Sequence, residues 1–268
     1  MKNIAAFKEF IWNFYHTNKR DFAWRNNDNS YHVLISEIML QQTQTSRVIT
    51  KYEEFIATFP NFYALASASL RDVLSVWQGL GYYRRARFLH QLAQIVVSEY
   101  AGVLPQDPKI LQTFPGIGPN TAGSICAFAF NCPTIFIETN IRTVFIDAFF
   151  SDKKEVTDKE LLPLIAQTVD QENPREWYYA LMDYGVFLKA RQVNPSRKSA
   201  HYTKQSKFEG SDRQIRAKIL KFIVKTESVS HQDILLHSAK DIARVEKIID
   251  QLLAESFIKT VNNLYFIV

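Results

Sequence analysis

The sequence predicts a mainly α-helical protein: two helical lobes, then a small unit of three helices and a hairpin. Three observations predict it. Between residues 5 and 190 apolar positions recur at helical spacing, with Pro and Gly at the joints and no alternating strand pattern. From Val193 to Gly210 the composition shifts to Ser, Arg, Lys, His and Gln, the mark of a linker or an extended arm. Residues 211–268 then begin a second patterned unit, which turns from helical to alternating spacing around Asn262-Asn263.

The elements follow in order. A helix over residues 5–17 ends near Thr17-Asn18, and residues 31–44 place their apolar residues on one face. Residues 47–59 form a helix stopped by Pro60, 70–78 a short one ended by Gly79, and 83–100 a long one stopped by Gly102. Residues 109–113 and 119–131 flank a Pro-Gly-Ile-Gly turn, and helices over 140–150, 158–170 and 175–188 complete the set. We expect these to form an all-α globule, residues 1–192, with a cleft between its two lobes. An arm follows over 193–210. In residues 211–268, Asp212–Lys225 is amphipathic and Ser230 caps a short helix to His237. Ser238–Ser256 carries Ile242, Val245, Ile248, Ile249 and Leu252 at core spacing, and Phe257–Ile267 reads as strand, turn, strand. Three helices and a hairpin make the winged-helix layout, which serves duplex DNA binding or protein docking. On the third helix Lys240, Arg244 and Lys247 are offset by Asp241, Glu246 and Asp250, so both uses stay open.

At 268 residues and 47% hydrophobic, the chain can bury a core and is long enough for two domains. A net charge of +5 fits a polyanionic partner and excludes little. The placement of the cations says more. Arg84, Arg85 and Arg87 cluster beside Tyr82 and Tyr83, and Lys189, Arg191, Arg197, Lys198, Lys204 and Lys207 crowd one stretch. For that second cluster a solvated face is the competing reading. Cys126 lies in an apolar helix and reads as a small buried hydrophobe; with Cys132 it makes neither a disulfide framework nor a zinc site. No signal-peptide pattern opens the chain, and no apolar run is long enough to span a bilayer. A monomeric, soluble cytoplasmic protein with no membrane partner is expected, nucleoid-associated if bacterial.

The most informative stretch is Leu111–Arg142. Gly116 and Gly118 let the backbone turn tightly and bring its N–H groups near an anion, and the helix from Pro119, with Asn120 and Thr121, points its positive end the same way. Such a turn grips a phosphate without reading a base. Glu138 follows that helix, ahead of Asn140 and Arg142. Three further motifs accompany it: Ile35-Ser36-Glu37-Ile38-Met39-Leu40-Gln41-Gln42-Thr43-Gln44, Trp77-Gln78-Gly79-Leu80-Gly81-Tyr82-Tyr83-Arg84-Arg85-Ala86-Arg87, and Met182-Asp183-Tyr184-Gly185.

These four motifs, in this order, resemble the helix-hairpin-helix glycosylases of base-excision repair, and within them the MutY-like, adenine-specific branch. The resemblance covers roughly residues 5–205, about three quarters of the chain. It implies the two-lobed helix-hairpin-helix glycosylase fold, and double-stranded DNA carrying a mismatch or lesion as partner. The target base must be extruded at a cost of a few kcal/mol, and the resemblance makes Leu40, Gln41, Gln42 and Tyr82 the groups that fill the gap and touch the opposite base. Arg85 and Arg87, with Gly116, Gly118 and Thr121, are expected to contact DNA. Cleaving the glycosidic bond suits two carboxylates in different environments. By resemblance Glu37 is the proton donor, and its neighbours Ile35, Ile38 and Met39 suggest burial that raises its pKa. Glu138 takes the second carboxylate's place, beside Asn140. Asp147, further along the next helix, reads as structural. Trp24 and Arg25 are candidates for the base pocket, and the carbonyls around Phe114, Gly116 and Ile117 for a monovalent cation.

The sequence departs from the family pattern in four places. Glu138 stands where aspartate is usual, which moves the charge by on the order of an ångström; a displacement of that size costs about a hundredfold when nothing compensates. Either the sugar sits differently, a water bridges the gap, or activity is reduced. Asn120 stands where lyase-type relatives place a lysine, the Schiff-base nucleophile, which argues for a monofunctional enzyme and leaves the identity of the base open. The four cluster-binding cysteines are replaced by Lys189, Ser196, Ser199 and Gln205, so no iron–sulfur cluster, other cofactor or metal is expected. The C-terminal unit is shorter than the β-rich domain that recognises 8-oxoguanine. The expected function is hydrolysis of the N-glycosidic bond of a mispaired or damaged base, adenine first, without lyase activity. The alternatives are uracil or thymine opposite guanine, hypoxanthine, or a catalytically weak lesion-binding protein.

Overall fold

A computed structural model describes residues 3–238 and 241–268. In chain order the elements are α1 (Ile4–Asn18), α2 (Ser30–Leu40), α3 (Thr45–Thr58), α4 (Phe62–Ser67), α5 (Leu70–Val76), α6 (Arg84–Tyr100), α7 (Pro108–Leu111), α8 (Pro119–Phe130), α9 (Thr139–Phe149), α10 (Asp158–Thr168), α11 (Pro174–Arg191), a 3-10 turn η1 (Pro195–Lys198), α12 (Asp212–Thr226), β1 (Ser228–Ser230), α13 (His231–Ser238), α14 (Ile242–Ala254), β2 (Ile258–Val261) and β3 (Leu264–Ile267). The chain is mainly helical, with a small C-terminal sheet.

Three elements escaped the sequence reading: α4, η1 and β1. Pro60 was a stop signal, yet Asn61 behind it is also a start, since its Oδ1 accepts from the Ala64 N–H at 2.9 Å. The helix expected over 31–44 ends at Leu40, because Gln42 is left-handed at φ +55° and the Thr43 N–H closes a turn onto the Leu40 carbonyl at 3.3 Å. The third C-terminal helix begins at Ile242 rather than Ser238, capped by Asp241, whose Oδ1 accepts from the Arg244 N–H. Lys240 lies outside the described residues.

The contacts divide the chain into two compact units, Met1–Glu37 with Pro105–Lys204, and Ile38–Leu104 with Gln205–Val268. In the first, α1 and α9 pack on α11 through buried aromatics: Phe7 meets Phe145, Phe149 and Trp177, and Phe128 stacks on Tyr179 at 4.5 Å. The glycine of the Met-Asp-Tyr-Gly motif explains itself here. A Cβ on Gly185 would lie 2.7 Å from both Cβ and the carbonyl oxygen of Asn140, so only glycine lets α11 approach the first turn of α9. Arg142 grips Asp158 with two parallel hydrogen bonds, 2.7 and 2.6 Å, and pins α9 to the start of α10.

In the second unit α4 and α5 pack on α6. Arg85, on the first turn of α6, is 9% exposed. Its Nη1 donates to the carbonyls of Ile38, Met39 and Gln41 at 2.6–2.8 Å. Its Nη2 donates to Thr43 Oγ1 and the carbonyls of Leu80 and Gly81 at 2.9–3.3 Å. The last carbonyls of a helix have no intrahelical partner; one guanidinium supplies them for α2 and ties that end to the glycine-rich turn at 79–82. Residues 211–268, expected as a domain by themselves, join this unit. Helix α12 packs on α5, and Arg71 donates to the Val224 carbonyl at 3.1 and 3.0 Å. Glu255 accepts from both Arg84 and Arg216, and those guanidinium groups hold its carboxyl down at about 2. The sheet has order β1-β3-β2, antiparallel throughout, with Asn262 and Asn263 both left-handed in the turn. Its buried side chains, Val229, Ile258 and Ile267, join Ile219, Ile223, Ile248 and Leu252 in the core.

Two outcomes follow from these contacts. Arg85→Met fills a similar volume but strands buried carbonyls, and is expected to cost about 3 kcal/mol in denaturant unfolding. Gly185→Ala forces backbone against backbone, and is expected to cost about 1–3 kcal/mol and to displace the start of α9.

Candidate active site

Glu37 lies on α2, half-buried, and Ser124 on α8 donates its hydroxyl to Glu37 Oε2 at 2.5 Å. Burial pushes the Glu37 carboxyl up to about 7; the Ser124 hydrogen bond opposes this, the charge of Glu138 adds to it, and Arg25 opposes it. Ser124 was not singled out in the sequence. One small polar residue in an apolar helix gives no signal until its partner is known.

Glu138 is the N-cap of α9. Its Oε1 accepts from the backbone N–H groups of Asn140 and Ile141 at 2.7 and 2.8 Å, and its Oε2 from Asn140 Nδ2 at 3.1 Å. The longer side chain thus folds back over the helix start, where the positive end of the dipole suits a negative charge. The other side-chain atom of Asn140, Oδ1, is buried and has no partner. Lys189, on α11 one turn beyond Gly185, lies within the field of Glu138; burial lowers its pKa and Glu138 opposes that. Asp147 accepts from Gln192 Nε2 at 2.7 Å, which ties α9 to the end of α11.

Arg25, expected in a base pocket, is 9% exposed and paired with an aspartate. Its Nη1 and Nη2 donate to the two oxygens of Asp183, both at 2.8 Å, and its Cζ lies 4.3 Å from the Tyr179 ring centroid. Asp183 also accepts from the Arg20 backbone N–H and from Arg20 Nε. The aspartate of the Met-Asp-Tyr-Gly motif therefore fixes the loop of residues 20–25. Trp24 is buried and stacked on Phe22 at 4.8 Å with planes 5° apart.

At the hairpin Phe114 and Ile117 are buried, while Gly116, Gly118 and Asn120 are exposed. Gly116 takes φ +78°, and Gly118 caps α8 with no side chain, which leaves the first N–H groups of that helix uncovered by the cap. Asn120 has its Oδ1 engaged by the Ile137 N–H at 3.1 Å, so it braces the strand of chain that delivers Glu138.

In the second unit Leu40, Gln41 and Gln42 sit at and just beyond the end of α2, and Tyr82 in the turn before α6; Gln42 is exposed and the other three are half-buried. Gln42 and Tyr82 are both left-handed, at φ +55° and +47°, a conformation that costs a non-glycine residue energy and recurs at functional sites. Arg85 and Arg87, the cationic pair expected to reach DNA, make contacts within the protein. Arg85 is buried under the carbonyls already described. The Arg87 guanidinium lies 5.4 Å from the Phe257 ring centroid.

Lys189, Ser196, Ser199 and Gln205, which the resemblance sets where a cluster's cysteines would be, do not fit a cluster. Ser196 donates to Asn194 Oδ1 at 2.9 Å, Ser199 Oγ accepts from the His201 N–H, Lys189 offers a cation, and Gln205 donates to Tyr82. Cys126 is buried in α8 with its thiol pushed up to about 12 by burial. Among the described residues no group of three His, Cys, Asp or Glu is placed to hold a metal. The segment is held by hydrogen bonds instead: Val156 N–H to the Lys198 carbonyl at 2.8 Å, Ala200 N–H to the Val156 carbonyl at 2.9 Å, and Lys198 Nζ to the Ser151 carbonyl at 2.6 Å. No helix of the described residues is long and apolar enough to cross a membrane.

Comparison with known proteins agrees with this geometry. The model of the HhH-GPD superfamily of base excision DNA repair proteins matches residues 35–167. An adenine DNA glycosylase of Buchnera aphidicola (from Acyrthosiphon pisum) is 35% identical over 188 residues, covering 68% of this chain and 53% of that protein. One of Mycobacterium tuberculosis is 28% identical over 284 residues, covering 96% of this chain and 91% of that one. The chain thus spans about half the length of the Buchnera relative. The solved structure of a thermostable thymine-DNA glycosylase superposes with TM-score 0.64 at 24% identity, over 73% of this chain and 91% of that one, which speaks to the fold. With Glu37, the glycine hairpin and Glu138 all inside the matched region, the chain belongs to the HhH-GPD superfamily of base excision DNA repair proteins, and its sequence relatives lie on the adenine-glycosylase branch.

Proposed function

We propose that this protein is a monofunctional DNA glycosylase that flips a mispaired adenine from duplex DNA and hydrolyses its N-glycosidic bond. The observation that carries the proposal is the contrast between two carboxylates in one unit. Glu37 is desolvated, with a pKa of about 7; Glu138 accepts from three N–H groups at a helix start. That contrast is what general-acid departure of a base requires. Glu37 gives its proton to the base as the C1′–N bond breaks and the bonding electrons leave with the base. Glu138 stabilises the positive charge that develops on the sugar. A water then adds to C1′ and gives its proton to Glu138; the buried, unpartnered Oδ1 of Asn140 supports a role in accepting from that water. Asn120 has no amine, so no Schiff base forms there and the abasic site stays intact.

The start of α8, where Gly118 caps the helix without a side chain and the dipole is positive, suits a phosphate of the same strand. Leu40, Gln41, Gln42 and Tyr82 suit the gap and the opposite base. Arg25 and Arg85 act by holding their loops, and the pairs they make support no direct contact with DNA. Adenine as the base rests on the relatives' names and on the motifs around Glu37 and Tyr82.

Single-turnover base release tests the proposal, on duplexes carrying adenine opposite guanine or 8-oxoguanine, uracil or thymine opposite guanine, and hypoxanthine opposite thymine. Release of adenine alone is expected, with Glu37→Gln and Glu138→Gln each slower by about a hundredfold or more. The Glu138→Gln amide keeps an acceptor for α9, so its stability should change by less than about 1 kcal/mol. Tight binding with no release from any duplex would make the protein a lesion binder. The pH profile is a second check. Glu37 works protonated, so the rate should fall above pH about 7 as it ionises. The Ser124 hydrogen bond lowers this pKa, so Ser124→Ala should move the alkaline limb to higher pH.

A further inference from the structure

The C-terminal segment reaches the side chain of Tyr82, and both belong to the second unit. Arg213, in the first turn of α12, donates from Nη1 to the Tyr82 hydroxyl at 2.5 Å, and its Cζ lies 5.3 Å from the ring centroid. Its Nη2 donates to the carbonyl and the hydroxyl of Ser206, at 2.7 and 3.2 Å. Gln205 donates from Nε2 to the same Tyr82 hydroxyl. On the other element that touches this ring, the Arg85 guanidinium lies 5.5 Å from the centroid. A phenolic oxygen has two acceptor positions and one proton to give. Two side chains from residues 205–213 can occupy both acceptor positions, while two guanidinium groups lie against the ring.

The backbone here gives the ring no help from a regular element. Tyr82 sits in a turn between Gly81 at φ +72° and the start of α6, and is itself left-handed. Its side-chain torsions are set by what grips the ring. Arg85 belongs to the body of the unit. Gln205 comes from the arm of residues 193–210, and Arg213 from the first turn of the helix that follows it.

We propose that Arg213 is a positioning residue for Tyr82: through its bond to the phenol and its seat against the ring, the C-terminal segment sets the wedge in place before the duplex arrives. The inference rests on the reading of Tyr82 as the group that enters the base stack. Holding a two-torsion side chain in its working orientation removes an ordering cost that would otherwise fall on DNA binding. Its loss is worth roughly three- to tenfold in a rate or affinity.

The test is a double-mutant cycle on the full chain, run in a Glu37→Gln background so that the readout does not depend on base release. A duplex with 2-aminopurine beside adenine opposite guanine reports unstacking by its fluorescence in stopped flow. Tyr82→Phe keeps the ring and loses the hydroxyl; Arg213→Ala loses both the bond and the stack. Each is expected to slow the fluorescence rise by roughly three- to tenfold, and the pair together by no more than Arg213→Ala alone. Arg213→Gln, which keeps a donor, should recover part of the rate, and stands in if Arg213→Ala melts at a markedly lower temperature. A rise slowed by Tyr82→Ala but unchanged by Tyr82→Phe and both Arg213 variants would overturn the proposal and leave the wedge intact. Equal effects of Arg213→Ala with and without the tyrosine would also overturn it, since the arginine would then act elsewhere. No effect of Tyr82→Ala would instead sink the wedge reading itself.

Discussion

One buried guanidinium holds the part of this protein on which most else depends. The end of α2 would leave its last carbonyls unpaired, and the glycine-rich turn at 79–82 presents two more toward the same spot. Arg85 answers both from a single position on α6, with hydrogen bonds to Ile38, Met39, Gln41, Thr43, Leu80 and Gly81. The cost is desolvation, which pulls the Arg85 pKa down to about 10 and still leaves it charged at neutral pH. In exchange two left-handed residues, Gln42 and Tyr82, are held in conformations that neither would keep alone. The order of the Gln41-Gln42 segment and of Tyr82 is therefore one problem with one solution.

The other unit is organised around a close approach. Gly185 lets α11 touch Asn140, and that contact sets the first turn of α9, where Glu138 and Asn140 sit. Asn120 fastens the chain just before Glu138, and Asp183, two residues before Gly185, fastens Arg20 and Arg25. The carboxylates are thus supported from several sides by groups with no chemistry of their own. Rigid support of this kind lets a lengthened carboxylate still be held in one place, since each oxygen of Glu138 has an assigned donor.

The stretch after α11 is held by hydrogen bonds. Ser196, Ser199 and Asn194 form a small hydrogen-bonded turn, and Val156 pairs with the same stretch on both sides. A metal cluster gathers distant ligands through a few strong bonds; here weaker bonds, each close in space, give the segment its shape. Beyond it, residues 205–268 fold onto α6 and the turn before it through Glu255, Phe257 and Arg213, so the C-terminal part completes a unit that begins at Ile38.

The sequence by itself determined most of the helices and their order, and it named the residues expected to carry chemistry. Periodicity and Pro/Gly punctuation are local signals, so α6 to α11 fall close to their expected bounds, and the apolar neighbours of Glu37 foretold a raised pKa. Its limits lay where a local signal pointed two ways, as at Pro60-Asn61, or where a side chain's partner is far along the chain. The arginines beside Tyr82 looked like a basic patch; the structure turns Arg85 inward and sets Arg84 and Arg87 against Glu255 and Phe257. Ser124 and Arg213 carried no signal, because each matters only through a residue 87 or 131 positions away. Only the tertiary structure decided these, since a hydrogen bond depends on distance and direction in space, and composition records neither.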